Sequence, residues 1–426
     1  MTARLSTTCC IAGGGPAGLM LALLLARAGV QVTVLEKHDD FLRDFRGDTV
    51  HPSTLQIMHE LGLLEAFLKR PHDEVRTLEA TIGGTRVTVA SFSRVPTRCR
   101  FIAMMPQWDF LDFVRDEAAR YPGFRLMTGA EVTSVIQEAG RVTGVRASTF
   151  AGPLEVSAQL VIGADGRRSA VRASAGLVVR DIGAPIDVLW MRLPRHEGDS
   201  DASGGRLDTG YFMAMINRQS YWQCAYVIAK GGIDAIRSRG IEAFRQDIVR
   251  AAPMFEGRTG ALASWDDVKL LSVTVDRLEQ WWKPGLLCIG DAAHAMSPIG
   301  GVGINLAIQD AVAAANLLAA PLAAPTGFAH DAGDMITPLL ARVQRRRMWP
   351  TRLVQSIQVM VQDRLLNPVV SGQRAGGRPM AVPAALKLLD RFPLLSAIPA
   401  YFVGVGVRPE HVRSPRQAGA GDSKEK

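Results

Sequence analysis

The chain has 426 residues, of which 47% are apolar and 21% are charged, with 41 glycines and 23 prolines. This composition is that of a globular protein of about two to three domains. It excludes a wholly disordered chain and a fibrous repeat.

The formal net charge of +8 is unevenly distributed. Residues 1–340 contain 34 Lys and Arg against 36 Asp and Glu, whereas residues 341–426 contain 15 against 5. The body of the chain is nearly neutral and has no basic stripe interleaved with aromatic residues, so we predict no nucleic-acid partner. The cysteines are few, odd in number and without a CxxC pair, which favours a reduced, cytoplasmic protein without a structural metal site: Cys9, Cys10, Cys99, Cys224 and Cys288.

The first 36 residues predict a strand, a glycine-rich turn, a helix and a second strand. Residues 8–12 are typical of a short buried strand, and residues 19–29 form an apolar, helical Ala/Leu stretch. Residues 30–36 predict a second strand that ends in a carboxylate, Glu36. This βαβ pattern around the sequence GGGPAG is typical of dinucleotide binding.

Each glycine of this turn has a distinct physical use. Gly13 permits the tight turn, Gly15 lets the backbone approach a diphosphate, and Gly18 permits close packing of helix on strand. The helix N-terminus attracts the diphosphate, and Glu36 accepts hydrogen bonds from ribose hydroxyls. The motif leaves open whether the nucleotide is FAD or NAD. The residues predicted to bind it are Gly13, Gly15, Pro16, Ala17, Gly18, Glu36 and Lys37.

Two later segments narrow the choice of cofactor. Residues 160–172 predict a buried strand, a sharp turn at Asp165 and a helix start. Residues 286–311 predict a strand that delivers Asp291 at its carboxyl end, then a glycine-rich loop and a long Ala-rich helix from Gly303. Asp291 can accept from a polyol hydroxyl, and the helix N-terminus can stabilise negative charge on a flat ring.

The three segments, in this order, resemble the p-hydroxybenzoate-hydroxylase-like FAD aromatic monooxygenases, and most of all their ubiquinone-biosynthesis ring hydroxylase branch. The resemblance covers about three quarters of the chain. It implies an α/β fold with a Rossmann-like βαβ FAD-binding domain, an interleaved α+β substrate domain with a mixed sheet, and C-terminal helices. The implied divisions are an FAD-binding domain at 1–75, 101–180 and 276–340, a substrate domain at 76–100 and 181–275, and a C-terminal helical region with a frayed tail at 341–426.

The resemblance also implies roles for individual residues. Gln107 and Asp291 would contact the ribityl chain, Val132 the adenine and Pro298 the reacting edge of the flavin. Gln107 as a simple helix-start residue, and Arg46 as a surface ion-pair partner, are the alternatives. Further residues implied to lie against the cofactor are Arg46, Arg115, Asp165, Gly301, Gly303, Ile304 and Asn305. No side chain is assigned as a catalyst, and His294 is expected to be a packing residue.

Residues 181–275 predict the sheet that lines the substrate cavity. Residues 186–193, 207–216 and 221–229 are typical of strands, and residues 217–220 of a hairpin turn. Alternating aromatic and Met side chains suit a flat, apolar or phenolic substrate. The sequence leaves open which face points inward, and the candidates are Trp190, Met213 and Met215.

The C-terminal region supports two interpretations. Residues 320–334 predict a loop, residues 342–347 a basic helix, residues 383–405 an apolar helical stretch, and residues from 413 on a frayed end. These helices either cap the substrate cavity or contact a membrane that holds a lipid-like substrate. We favour the cap.

The resemblance implies a monooxygenase that uses FAD, NAD(P)H and O2 to hydroxylate an aromatic or phenolic substrate through a flavin C4a-hydroperoxide. The alternatives are an FAD-dependent reductase of isoprenoid-type double bonds and a non-enzymatic flavin- or lipid-binding module. A flavin halogenase is disfavoured because the W-x-W-x-I-P signature is absent, the nearest text being WWKP at 281–284. The sequence decides neither the substrate, nor NADPH against NADH, nor the oligomeric state.

Overall fold

The computed structural model describes residues 2–41, 48–200, 202–324, 330–370, 380–392 and 394–417. The strands are β1 (Ala3–Ala12), β2 (Val32–Leu35), β3 (Thr49–Val50), β4 (Asp73–Val75), β5 (Thr77–Ile82), β6 (Thr85–Ser91), β7 (Ile102–Met104), β8 (Phe124–Met127), β9 (Ala130–Glu138), β10 (Arg141–Thr149), β11 (Gly152–Gly163), β12 (Val179–Asp181), β13 (Ile186–Pro194), β14 (Gly204–Asp208), β15 (Tyr211–Asn217), β16 (Tyr221–Ala229), β17 (Lys269–Leu271), β18 (Asp276–Leu278), β19 (Trp282–Lys283) and β20 (Leu286–Cys288). The helices are α1 (Pro16–Arg27), α2 (Pro52–Glu60), α3 (Leu64–Phe67), α4 (Gln107–Ala118), α5 (Ala170–Ser174), α6 (Ile233–Ser238), α7 (Ile241–Ala251), α8 (Gly303–Ala323), α9 (His330–Val361), α10 (Asn367–Val370), α11 (Ala384–Arg391) and α12 (Ala397–Gly404).

The first sheet has eight strands, in the order β19-β20-β11-β1-β2-β8, with β10 and β9 added antiparallel beside β11. β1 is parallel to β2 and β11, and β11 is parallel to β20. Strands β2 and β20 are buried along their whole length, as parallel strands covered on both faces must be. The carboxyl ends of β1, β2, β11 and β20 lie along one edge, so the residues that follow these strands meet there.

The second sheet has seven strands, in the order β17-β13-β16-β15-β14-β5-β6. Strands β5 and β6 reach it from a distant part of the chain, so the two sheets are interleaved in sequence. The predicted hairpin turn at 217–220 is confirmed between β15 and β16. The prediction of one strand at 207–216 is wrong, because Gly210 has a positive φ of 88° and turns the chain between β14 and β15. The predicted α/β fold class is confirmed.

The C-terminal region is more ordered than its composition predicted. The loop predicted at 320–334 is wrong at both ends, since α8 continues to Ala323 and α9 begins at His330. The strong helix propensity of alanine outweighs the single Pro321 near the end of α8. The prediction of a frayed end from 413 is wrong up to Gln417, whose N–H donates to the Arg27 carbonyl at 2.9 Å.

Among the described residues, one helical segment is long and apolar enough to cross a membrane by length and composition. It is Ile299–Ala323, which includes α8. Its apolar 18-residue stretch is 72% buried inside the protein. Helix α8 packs against α1 in the main core cluster, so its apolar character is explained by its central position in the fold.

Candidate active site

The turn after β1 is rich in glycine, and two of its glycines have no space for a side chain. Gly13 has a φ of +102°, and a Cβ on it would lie 2.4 Å from the carbonyl oxygen of Ala164. A Cβ on Gly18 would lie 2.0 Å from the carbonyl oxygen of Gly13. Real Cβ atoms do not approach backbone oxygens this closely, so both positions require glycine. The turn therefore brings β1, α1 and the turn after β11 into direct backbone contact.

Gly15 differs from its neighbours because it faces open space. A Cβ on Gly15 would meet nothing within 4 Å. Gly15 is the N-cap of α1, no side chain caps this helix end, and no acidic residue lies in its first turn. The free N–H groups of the helix start next to Pro16 and Ala17 thus border a space without side chains, which fits a bound diphosphate.

Glu36 follows β2 at the same edge and is 6% exposed. Its Oε2 accepts the N–H of Gly14 at 2.8 Å, and its Oε1 accepts the N–H of His38 at 3.1 Å. These bonds fix the carboxylate beside the glycine turn. The arrangement fits a ribose diol, whereas the adjacent Lys37 is exposed.

The acids after β11 and β20 differ in their surroundings. Asp165 accepts the Ser169 hydroxyl at 2.5 Å and the Val171 N–H at 3.1 Å. Burial raises its pKa, against the lowering effect of these hydrogen bonds. Asp165 therefore organises its own turn and the start of α5. Asp291 is more exposed, and its Oδ2 lies 3.8 Å from Nε of Arg167.

Gly290 brings the Asp291 turn against the diphosphate turn. A Cβ on Gly290 would lie 3.1 Å from the Cβ atoms of Ala17 on α1 and Ala307 on α8. The helix start of α1 and the turn that carries Asp291 are thus direct neighbours. One flavin dinucleotide could therefore contact both turns, with its diphosphate at α1 and its ribityl chain at Asp291.

The loop between Pro298 and α8 is hydrogen-bonded to β3. Gly300 and Gly301 have positive φ values of 77° and 63°, and the Thr49 hydroxyl donates to the Gly301 carbonyl at 3.0 Å. Asn305, 3% exposed, donates from Nδ2 to the carbonyls of Thr49 and Gly301. The amide of Asn305 therefore holds the loop. The predicted contact of Asn305 with the cofactor stays a prediction.

Asn305 uses its other end on α2. Its Oδ1 accepts the His51 N–H and the Thr54 hydroxyl, both at 2.8 Å. Gly303 and Ile304 begin α8 beside this junction, and no side chain caps the N-terminus of α8. The uncapped N–H groups there can stabilise negative charge on a neighbouring ring.

The remaining predicted cofactor residues are spread over three environments. Gln107 begins α4, and its backbone N–H bonds to the Asp48 carboxylate. Val132 is buried in β9. Arg115 pairs at 2.7 Å with both Asp112 and Asp116 at the surface, so its reach to the diphosphate stays a prediction. Arg46 lies outside the described residues.

A buried ion pair that the sequence did not reveal joins the β15–β16 turn to the residue that precedes β3. Arg218, in the β15–β16 turn, lies 2.5 Å from Oδ2 of Asp48, and both side chains are at most 10% exposed. Arg218 also donates to Gln223 at 2.9 Å. Burial raises the pKa of Asp48, while Arg218 and hydrogen bonds oppose that rise. The pairing residues are 170 positions apart, so no local motif signals it.

The second, seven-stranded sheet, which we predict to line the substrate cavity, has two different faces. Met213 and Met215 belong to the buried cluster that contains Phe244 and Ile248 of α7, so their place in the substrate cavity stays a prediction. Strand residues alternate between faces, and Trp190 lies on the opposite face, packed against the cluster that also includes Ile299 of the loop that precedes α8. The other side chains on this face include Phe212, Ala214, Ala225 and Val227.

Two buried polar atoms near this loop lack partners in the described part of the chain. They are Nε1 of Trp190 and Oε1 of Gln362. Gln362 donates to the Ser297 hydroxyl at 2.7 Å, and Trp190 packs in the cluster that contains Ile299. Buried donors are normally paired, so the unpaired Nε1–H of Trp190 fits a site that receives a polar ligand.

His294 is held in a buried charged network. Its Nε2 lies 2.6 Å from Oδ2 of Asp310, whose Oδ1 accepts from Arg347 at 2.9 Å. Burial would raise the pKa of Asp310, but His294 and Arg347 outweigh it and lower that pKa. Arg347 and Arg346 also pair with Glu410. His294 is thus a packing residue, and part of the C-terminal basic charge is used inside the protein.

His51 predicts a dependence of stability on pH. Its ring is fully buried, Nδ1–H donates to the Val403 carbonyl at 2.8 Å, and burial lowers its pKa to about 4. Between pH 6.5 and 4 the unfolded chain binds a proton that the folded protein excludes. The free energy of unfolding is therefore expected to fall by about 3 kcal/mol over this range because of His51.

Urea unfolding at pH 7.5 and pH 4.5 tests this expectation. In the His51→Gln variant the difference between the two pH values should shrink by about 2–3 kcal/mol relative to the parent protein. The control is His59→Gln, because His59 is exposed on the same helix. Equal pH dependence of the His51→Gln variant and the parent would contradict the assignment.

Comparison with known proteins agrees with this geometry. Residues 6–333 match the family model described as FAD binding domain. The chain is 33% identical over 399 residues to a 6-methylpretetramide 4-monooxygenase of Streptomyces rimosus, covering 92% of this chain and 91% of that protein. It is 29% identical to a dialkyldecalin synthase of Streptomyces rugosporus, covering 72% of this chain but 64% of that protein.

Among solved structures, p-nitrophenol 4-monooxygenase PnpA of Pseudomonas putida has the same fold, with a TM-score of 0.72 at 19% identity. The match covers 94% of this chain and 97% of that one. The family match spans the turns after β1, β11 and β20. The chain therefore belongs to the FAD-binding-domain family of class A flavoprotein aromatic hydroxylases and is an FAD-dependent monooxygenase.

Proposed function

We propose that this enzyme inserts one oxygen atom of O2 into a fused-ring aromatic substrate of the polyketide type. The observation that carries the proposal is the 33% identity, over nine tenths of both chains, to an enzyme named for oxygenation of 6-methylpretetramide. The apolar sheet face around Trp190, Phe212 and Val227 supports it, because flat aromatic rings pack well on such a surface.

Bound FAD, reduced by NAD(P)H, supplies the activated oxygen in this chemistry. The residues of the chain bind the cofactor, orient the substrate and exclude water. The start of α1 at Gly15 holds the diphosphate, Asp291 holds the ribityl chain, and the start of α8 at Gly303 stabilises negative charge on the ring. Leu365 and Leu366, which pack in the cluster of the substrate sheet, keep water from that face.

The proposal is tested with purified enzyme, NADPH or NADH, and a panel of phenols, quinone precursors and polycyclic aromatics. A productive substrate should stimulate NAD(P)H oxidation and oxygen uptake in equal amounts and should gain one oxygen atom by mass spectrometry. NAD(P)H oxidation with hydrogenated product would indicate the reductase alternative. Isomerised product without oxygen uptake would indicate cyclisation, the reaction class suggested by the dialkyldecalin synthase, and an absence of turnover would indicate a binding module.

Trp190 gives a sharper test of the substrate face. The Trp190→Phe variant keeps an aromatic ring but lacks the buried Nε1–H donor that has no partner in the described chain. We expect KM for the aromatic substrate to rise about fivefold, the equivalent of one hydrogen bond of about 1 kcal/mol, with FAD affinity unchanged. Met213→Leu, on the face packed against α7, is the control and should leave KM unaltered; equal KM values for both variants would refute the assignment.

We propose that the C-terminal helices cap the substrate cavity and do not contact a membrane. We also propose that the enzyme is cytoplasmic. Leu365, Leu366 and Val369 pack in the substrate-sheet cluster, and the five cysteines are free and buried. The exposed apolar side chains of this region, Leu388, Phe392, Leu394 and Ile398, make the alternative testable. The enzyme should stay in the supernatant when anionic lipid vesicles are sedimented, and co-sedimentation would support the membrane contact instead.

A further inference from the structure

Three buried glutamines of α9 and the π-helical turn that follows it (Gln362–Leu366) form a ladder of hydrogen bonds. Gln355, Gln358 and Gln362 are at most 4% exposed. Their spacing of three and four residues places them on one side of the helix. We call them the glutamine ladder. A row of neutral amides buried on an otherwise apolar helix side requires partners, because unpaired buried amides are costly.

Each of the three glutamines hydrogen-bonds to the segment from Ala295 to Ile299, and Gln355 also bonds to Asp276, which supports that segment. Gln358 accepts the Ser297 N–H at 3.2 Å and donates to the carbonyls of Ser297 and Ile299, both at 2.9 Å. Gln362 donates to the Ser297 hydroxyl at 2.7 Å. Gln355 donates to the Ala295 carbonyl at 2.9 Å. The segment from Ala295 to Ile299, which contains Pro298, thus gains a chain of partners outside any sheet.

Gln355 also reaches the support of this segment. It donates to the Asp276 carbonyl at 2.7 Å, and the Asp276 carboxylate accepts the Ala295 N–H at 3.2 Å and pairs with Arg172. Beyond Gly301 the loop is held by Thr49 and Asn305. Both ends are therefore clamped, and the turn at Gly300 and Gly301 is the part that no ladder bond reaches.

We propose that the glutamine ladder is the positioning device that sets the place of the Pro298 loop against the flavin ring. This inference rests on the proposed placement of that loop beside the ring. A bidentate amide holds both the N–H and the C=O of Ser297, so it fixes the rotation of the peptide as well as its distance. Displacement of the loop by 1 Å is enough to impair a reaction that depends on alignment. The glutamines are positioning residues and touch neither substrate nor cofactor in this proposal.

The test compares Gln358→Met, Gln362→Met and Ser356→Ala, each as purified enzyme. Gln358→Met keeps the side-chain length but removes three hydrogen bonds, Gln362→Met removes one, and Ser356 is exposed on the other side of α9. FAD dissociation constants are measured by the fluorescence released on dilution. The environment of bound flavin is measured by visible circular dichroism, and coupling by the ratio of product formed to NAD(P)H consumed.

We expect Gln358→Met to raise the FAD dissociation constant about tenfold, to alter the flavin dichroism and to lower coupling. Gln362→Met should change the same quantities in the same direction by a smaller factor, and it decides the question alone if Gln358→Met does not fold. A merely structural role would lower the melting temperature and leave the dichroism and coupling unaltered. Unchanged dichroism and coupling in the folded variants would overturn the proposal, whereas a parent protein that binds no FAD would overturn the proposed function itself.

Discussion

Replacing Arg347 by methionine is expected to lower the free energy of unfolding by about 3–5 kcal/mol. Arg347 is 0% exposed and bonds to Asp310, Glu410 and the Arg408 carbonyl. Methionine fills a similar space but leaves two buried carboxylates with fewer partners. Removing one member of a buried charge network lowers the free energy of unfolding more than replacing the whole network by apolar residues, because the remaining charges stay desolvated.

The measurement is urea unfolding followed by circular dichroism. Arg345→Met is the matched control, since Arg345 is exposed two positions away on the same helix and should change the free energy of unfolding by less than about 0.5 kcal/mol. A loss below about 1 kcal/mol for Arg347→Met would show that the network adds little to stability.

Replacing Gly15 by valine is expected to weaken FAD binding by about 3 kcal/mol, or roughly 100-fold, without unfolding the protein. The backbone of Gly15 is extended and its Cβ position is empty, so valine is accommodated by the chain. The valine methyl groups would occupy the space beside the helix start that the diphosphate needs. Fluorescence titration of the apoprotein with FAD measures the loss.

Gly18→Ala is the counterpart with the opposite profile. Its Cβ would lie 2.0 Å from the Gly13 carbonyl oxygen, so the helix and strand must separate and we expect a loss of stability of about 1–3 kcal/mol. Comparison of the two apoproteins by thermal unfolding distinguishes a binding position from a packing position. Tight FAD binding by Gly15→Val would contradict the placement of the diphosphate.

The turns after β1, β11 and β20 could be predicted from the sequence because the residues that define each turn are neighbours in the chain. Gly13, Gly15 and Gly18 state a backbone requirement within six residues, and Glu36 follows at the end of the next strand. Asp165 and Asp291 also end buried strands. Since parallel strands end at one sheet edge, their convergence follows from the pattern alone.

The rest required information that distant residues supply. The alternation in β15 indicates two faces but not which one meets α7, so Met213 and Trp190 could not be sorted by sequence. Polar residues at 355, 358 and 362 mark one helix side, yet their partners lie about 60 positions earlier. The sequence predicts a basic helix at 342–347, but it does not indicate that Arg347 pairs with Asp310 in the core.

The strap formed by residues 408–417 has a consequence for the order in which the protein is made. It contacts α8 through Asn316, α2 through Glu60 and α1 through Arg27, all of which leave the ribosome hundreds or scores of residues earlier. During translation the nucleotide-binding half is therefore complete in sequence but lacks its last supports. A nascent chain stalled before Glu410 should therefore be less stable than the full chain, because α1, α2 and α8 lack these contacts.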